Sequence, residues 1–387
     1  MSEAVADNVL LSYVEETTFG VKKTGSNLQK LRKTSESIKA QLGTIKSNEI
    51  TGDRQVAGIK KTSQAASGSI GYELSYGTYD DLLRAVLMSA AWKAAETTIA
   101  AQTTIAAVAS GNKFTDTGNG MANFDAGEWV KVSGFATAAN NGFFRVESSL
   151  AGEITVSGGT LVNESATPAV TITQLTSITN GSTVSSFNFE RSYTDIANDL
   201  MLYLGVMINS MTMTVVPEQI ITGAFECMGT GYEALTASAG SGYVNKTTTD
   251  WMNAVDDVKG FLENQSAISV TQIDLSIANN LRKRNIIGAL TTTSMGAGQF
   301  TLTGTLKAYY ESNALFTKFL AQTATQIAIK IQDTAGNAYI IDMPAVKFSD
   351  GDRNATGKDT DIIASLPFVA YKSSFGHTLK ICKSPAA

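Results

Sequence analysis

The sequence predicts a mainly β protein: a β-sandwich or shared β-barrel with flanking helices, plus an inserted small all-β domain. Three observations lead there. Over 387 residues glycine is plentiful (33) and proline scarce (5), which suits a turn-rich β chain and argues against disorder, collagen and coiled coil. Apolar residues reach 43% while charged residues stop at 17%, under the roughly 25% of an average soluble domain, so material for a sizeable core is present. Short apolar/polar alternations recur along the chain. The length suits two ordinary domains, or one domain carrying an insertion.

Residues 1–66 have few apolar anchors beyond Val9 to Leu11, Tyr13, Val14 and Phe19. From Leu31 to Lys61 polar and apolar residues alternate loosely, with breaks at Gly43, Gly52 and Gly58, which predicts a long extended loop or hairpin. Residues 20–66 hold ten Lys/Arg against three Asp/Glu, a charge of +7 that leaves -12 for the rest of a chain totalling -5. A basic segment on an acidic chain is a solvated loop, a nucleic-acid arm, or a hook for an acidic neighbouring copy.

Gly68 to Tyr76 alternates Ile70, Tyr72, Leu74 and Tyr76 with small or polar residues, a half-buried strand. Thr78-Tyr-Asp-Asp81 has capping-box spacing and predicts a helix burying Leu82, Leu83, Val86 and Leu87, closed by Trp92. The same grammar returns at Gln299 to Leu306, where Phe300, Leu302 and Leu306 share a face ahead of a helix carrying Leu315, Phe316, Phe319 and Leu320. Two such units suggest an internal duplication of half a domain. Between and after them the alternation predicts strands at Val184 to Arg191, Leu200 to Val206, Ile208 to Val216, Ile220 to Met228, Ile268 to Ile277 and Ile362 to Tyr371. A hairpin turns at Asp333-Thr-Ala-Gly336 within 325–347. Trp251, Val255, Val258 and Leu262 keep a helical spacing over Thr249 to Glu263.

Residues 97–176 differ in composition. They are Thr/Ala/Gly-rich, with a net charge of -3 and strands at Thr103 to Ala109, Trp129 to Val132, Gly142 to Glu147, Glu153 to Val156 and Ala169 to Thr173. Asn140-Asn-Gly142 signals a tight turn between two of them. Phe114, Phe124, Trp129 and Phe143 are the core candidates of an inserted, outward-facing domain. The remaining 1–96 and 177–387 then form one discontinuous sandwich domain.

Catalytic chemistry finds few residues to work with. The one histidine, His377, precludes any imidazole pair, and Cys227 and Cys382 form no C-x-x-C motif. Gly229-Thr-Gly231 and Gly240-Ser-Gly242 lack the following Lys of a phosphate loop, and no G-x-S-x-G elbow exists. Asp350-Gly-Asp352 with Asp359 and Asp361 does not match calcium-loop spacing and reads as an exposed polar turn. Neither an enzyme, a cofactor nor a metal is expected. The amino terminus lacks a secretory pattern, and the longest apolar run, Leu200 to Ile208, is too short to span a bilayer. The expectation is a soluble protein made in the cytoplasm, without membrane insertion.

Ser47-Asn-Glu-Ile-Thr-Gly-Asp-Arg-Gln55, followed by Gly68 to Leu83, resembles the tail tube (major tail) proteins of long, non-contractile-tailed bacteriophages. Glu15-Glu-Thr-Thr-Phe-Gly20, Phe189 to Asp195, Gly205 to Asn209, Val216 to Gly229, Asp333 to Tyr339 and Met343-Pro-Ala-Val346 resemble the same family in the same order. The resemblance covers most of 10–96 and 177–372, and the insertion at 97–176 departs from it.

The resemblance implies a structural virion protein, made in the host bacterial cytoplasm. Six copies would form a ring, and rings would stack into a hollow tube that conducts DNA without binding it specifically. A long loop would contact the next ring. Other partners would be the tape measure, tail terminator and tail-tip proteins, with host-surface contact open to 97–176. For the inter-ring contact the candidates are Lys46, Arg54, Lys60 and Lys61; for the lumen, Glu73 and Glu190. The competing reading from composition is a capsid or surface-layer building block, or an adhesin with a carbohydrate-binding insert.

Overall fold

A computed structural model describes residues 3–166, 169–351 and 357–386. The fold is mainly β, with two α-helices, Asp80–Val86 and Ala314–Ala321, among the described residues. Nineteen strands form one hydrogen-bonded network. One glycine bends it into two layers. The alternation reads 200–216 as two strands, Leu200 to Val206 and Ile208 to Val216, whereas the structure has one continuous strand, Leu200–Val215. Gly205 breaks the alternation because its φ is +59°, and a Cβ there would meet Thr230 Cγ2 at 2.5 Å.

Ahead of this bend the strand pairs with Phe187–Tyr193 and Gly231–Leu235, and the layer continues through Val9–Glu15 to Asn27–Lys30. Beyond the bend it lies between Thr222–Gly229 and Val270–Ala278. That second layer runs, all antiparallel, in the order Ile59–Glu73, Thr222–Gly229, Leu200–Val215, Val270–Ala278, Thr301–Tyr309, Ile363–Ala370. Leu11, Tyr13, Phe187 and Phe189 of the first layer share one buried cluster with Ile70, Tyr72, Met211, Phe225 and Ile273 of the second. Leu82, Leu83 and Val86 of the first helix join it. Each such side chain contributes about 1.5–3 kcal/mol on full burial.

Both strand-to-helix units form, with differences from expectation. Thr78 does not cap the first helix; its hydroxyl pairs with those of Ser75 and Thr247, and Tyr79 occupies the cap position. The second helix lies on the surface with no residue fully buried, whereas the first is embedded. The helix expected over Thr249 to Glu263 is absent. Asn253 Oδ1 accepts from the backbone of Val255 and Asp256, and Asp257 accepts from Asn253, so side chains turn the chain here. Val258–Glu263 then pairs as a strand with Thr325–Gln332, leaving Trp251 and Val255 exposed. The hairpin at Asp333 to Gly336 joins Thr325–Gln332 to Ala338–Phe348 as expected.

Residues 98–174 supply their own seven-stranded sheet, including two strands the sequence reading missed, Thr98–Gln102 and Lys113–Asp116. Entry and exit lie side by side: Lys93 and Ser177 exchange backbone hydrogen bonds of 2.7 and 2.9 Å. Phe114 and Phe124 fill the insert's core with Phe135 and Phe144. Trp129 and Phe143, expected in that core, instead face the main body and pack on Leu262, Ala328, Ala338, Ile340 and Cys382. No two-residue turn forms at Asn140-Asn-Gly142. The connection is longer and folds through a short helical turn at Ala138–Asn140, with Asn140 buried and bonded to Val162 and Glu164.

Candidate functional site

Two surfaces stand out. The first is the hairpin of Lys39–Lys46 with Ile59–Glu73. Its root is fixed where Ala66, Ile70 and Tyr72 are buried and residues 66–73 pair with Thr222–Gly229. Over 59–63 the strand's ladder partner is the other arm, so the paired part of the hairpin projects by roughly 15 Å at about 3.3 Å per residue. Gln64 props the root, its backbone N–H donating to Leu290 O and its side chain to Tyr232 O. At the tip Ser47 N donates to Gly58 O, while Thr51 Oγ1 and the Gln55 backbone donate to Asp53. The Thr51 hydrogen bond, with that from Gln55, holds the Asp53 carboxyl below the usual carboxylate range.

Lys46, Arg54, Lys60 and Lys61 are all exposed on this hairpin, brought together by the register Ile45↔Lys60 and Lys46↔Ile59. Lys46, Arg54 and Lys60 have no ion-pair partner among the described residues, and Lys61 donates to Gln64. The earlier part of the basic segment is used within the chain: Lys22 pairs with Glu233, Lys23 donates to Glu15 O and Arg32 to Thr249 O. Sequence reasoning found the charge and missed the apolar company. Leu42, Ile45, Ile50, Val56 and Ile59 are each more than half exposed on the same arm. Their signal was present as apolar residues that no core pattern claims.

The second surface is the outer face of the second layer. Its register lines up Glu73, Thr222, Thr214, Asp274, Thr305 and Pro367 across six strands. Two residues along lie Gly71, Ala224, Thr212, Ser276, Thr303 and Val369, and then Ser69, Glu226, Ser210, Ala278 and Thr301. The face is paved with hydroxyls and carries Glu73, Glu226 and Asp274. Lys307 on this face donates to Gln272 Oε1 at 3.0 Å, and at its two margins the register sets Lys39 opposite Ser67 and Lys347 opposite Val369. Glu73 is therefore on this face, and Glu190 is not. Glu190 is fully buried, its carboxylate accepting from Ser238 Oγ, Ala239 N and Tyr243 OH, so it presents no charge to solvent.

Nucleophiles are muted. Burial pushes the thiols of Cys227 and Cys382 far up, toward the protonated form. Burial, aided by the positive Lys380, holds His377 below its ordinary value, and its Nδ1 faces Phe375 O. Among the described residues no group of three or more His, Cys, Asp or Glu side chains could hold a metal ion. Asp350 Oδ1 accepts from Gly351 N, and Asp352 lies outside the described residues. No helix of the described residues is long and apolar enough to cross a membrane.

A hydroxyl-paved sheet face beside a projecting arm defines a structural, assembling class of β protein. The chain belongs to the phage tail tube protein family, whose model matches residues 6–370. It is thus a structural component of a bacteriophage tail. No curated protein matches the chain.

Proposed function

We propose that six copies close into a ring, that rings stack into a hollow tube with the hydroxyl-paved face lining the bore, and that phage DNA passes through it. The character of that face carries the reading. Affinity for DNA comes mainly from Lys and Arg neutralising phosphates, and here Ser and Thr dominate with Glu73, Glu226 and Asp274 among them. Such a wall lets a polyanion slide. The exposed basic and apolar hairpin docks on the adjacent ring, where Lys46, Arg54, Lys60 and Lys61 make the contact. The tape measure, terminator and tip proteins act at the bore and the two ends, and no step is catalytic.

The insert over 97–176 projects outward from the tube, supported by its own sheet and its adjacent entry and exit. Repeated copies there make weak contacts with a host surface effective. Electron microscopy of the purified protein tests assembly; a strictly monomeric species at every concentration and salt tried contradicts it. Lysines placed at Thr212, Ser276 and Thr303 test the bore. The altered tubes should retain DNA in a salt-dependent way, and unchanged DNA passage in reconstituted particles would remove the face from the lumen.

A further inference from the structure

The hairpin and a second exposed patch sit at opposite ends of the same sheet. In the antiparallel order, the strand Ile59–Glu73 runs from the hairpin toward Glu73, and Thr301–Tyr309 runs in the same direction. Thr305 is level with Glu73, so Tyr309 lies four residues beyond that level, at the end away from the hairpin. There Tyr309 faces Ile363 across the ladder, both about half exposed, and Ile362 beside them is exposed too.

The patch continues onto the surface helix Ala314–Ala321. Between that helix and the strand ends is a groove of about 130 Å³, walled by Ile268, Tyr309, Leu315, Phe316 and Leu366. Gly351 packs against Phe316 and Phe319, which brings Asp350 to its edge. Glu311 is in the groove wall and Asp350 is at its edge, the segment leading to Ile362 carries the exposed Asp359 and Asp361 against Lys358, and the wall's Glu263 is already paired with Lys318 of the helix. The hairpin, over 39–61, carries five basic residues against two acidic ones, together with its five exposed apolar side chains. The two surfaces are opposite in charge sign and alike in apolar content, and their placement at opposite ends lets each copy offer one and receive the other.

We infer that the groove between the second helix and the Tyr309/Ile363 strand ends is the receptor for the hairpin tip of another copy of this chain in the next ring. The inference rests on the stacking proposed above and names the partner surface. Apolar tip residues such as Ile50 and Val56 enter the groove, and Lys46, Arg54, Lys60 and Lys61 face the acids at its rim.

The test uses four full-length proteins: the parent, a hairpin reversal (Lys46→Glu, Arg54→Glu, Lys60→Glu, Lys61→Glu), a groove reversal (Glu311→Lys, Asp359→Lys, Asp361→Lys), and the two combined. All substitutions are at exposed positions, and circular dichroism checks folding. Each single reversal should shorten tubes by roughly tenfold or more, because many weak contacts repeat around a ring, and the combination should restore much of the length. If the hairpin reversal shortens tubes while the groove reversal leaves them unchanged, the receptor lies elsewhere; the inference falls and the stacking reading stands. If neither reversal matters, both fall. As a second readout, a photo-crosslinker at Ile50 in the otherwise unaltered chain should capture peptides from 301–321 or 357–372 of another copy. Capture confined to other segments overturns the inference.

Discussion

Trp129→Ala is the sharpest test of how the insert is held. The indole is fully buried and leaves its own sheet to pack on Leu262, Ala328, Ala338, Ile340 and Cys382. Its Nε1 donates to Asp342 Oδ2 at 2.9 Å, a carboxylate that also accepts from Gln326 at 2.6 Å and Arg145 at 3.3 Å. Truncating a buried aromatic to alanine costs about 3–5 kcal/mol. Losing the indole donor adds about 1.5 kcal/mol, the lower end for a charged acceptor, because two other donors still satisfy Asp342. The comparison is Phe114→Ala, which opens a similar cavity inside the insert's own cluster. Urea unfolding gives the totals, and hydrogen exchange read by mass spectrometry gives the location. Trp129→Ala should lower protection on both sides of the seam, in Trp129–Ser133 and in Thr325–Gln332 with Ala338–Phe348. Phe114→Ala should lower it within 98–174 alone. A Trp129→Ala cost under about 1 kcal/mol, or an exchange change confined to the insert, refutes the argument that this side chain joins the two sheets. The same seam bears on deleting the insert, since removal of 97–176 bares the apolar floor beneath Trp129.

Gly205→Ala should cost about 2–3 kcal/mol, from a left-handed backbone at φ +59° and a Cβ 2.5 Å from Thr230 Cγ2. Adding Thr230→Ser, which keeps the hydroxyl bonded to Thr292 O, should recover part of that loss by chemical denaturation; no recovery would mean the clash is not the cause. Buried His377 has a folded pKa below its ordinary value of about 6.5, so the unfolded chain binds the proton more readily. Its contribution is complete above that value and is lost as pH falls from it toward the lower folded pKa. His377→Gln should therefore lose less stability than the parent between about pH 7.5 and 5.5, and equal losses would show that burial of this imidazole does not separate its folded and unfolded titrations.

Alternation of side chains made most strands readable, because a half-buried sheet imposes a period of two that residues such as Ile70, Tyr72, Leu302 and Leu306 display directly. What it cannot carry is register. Glu73, Glu226 and Asp274 lie far apart in sequence, and only the pairing of four successive strands brings them onto one face. Glu190 shows the reverse failure. Alternation with Phe187 and Phe189 turns it away from the core cluster, yet the Ser238 to Tyr243 segment folds over it and supplies three donors. The false helix at 249–263 arose because Trp251, Val255, Val258 and Leu262 mimic a helical stripe. The Asn253 amide and the Asp257 carboxylate compete for the backbone groups such a helix would need. Trp129 was legible as buried, and its alternation partners Lys131 and Ser133, opposite Val130 and Val132, marked it as facing away from the insert's own core; the size and apolarity of the indole masked that signal.

An arm at one end of the sheet and a notch at the other give the subunit a direction. In the stacking proposed above, a contact between unlike patches does not close on itself along the axis, so each added ring would present the same unsatisfied end as the one before. Nothing in such a subunit counts. A polymer built by the proposed stacking would have polarity but no intrinsic stopping point, and its final length would have to be dictated by a ruler or a cap that is a different molecule.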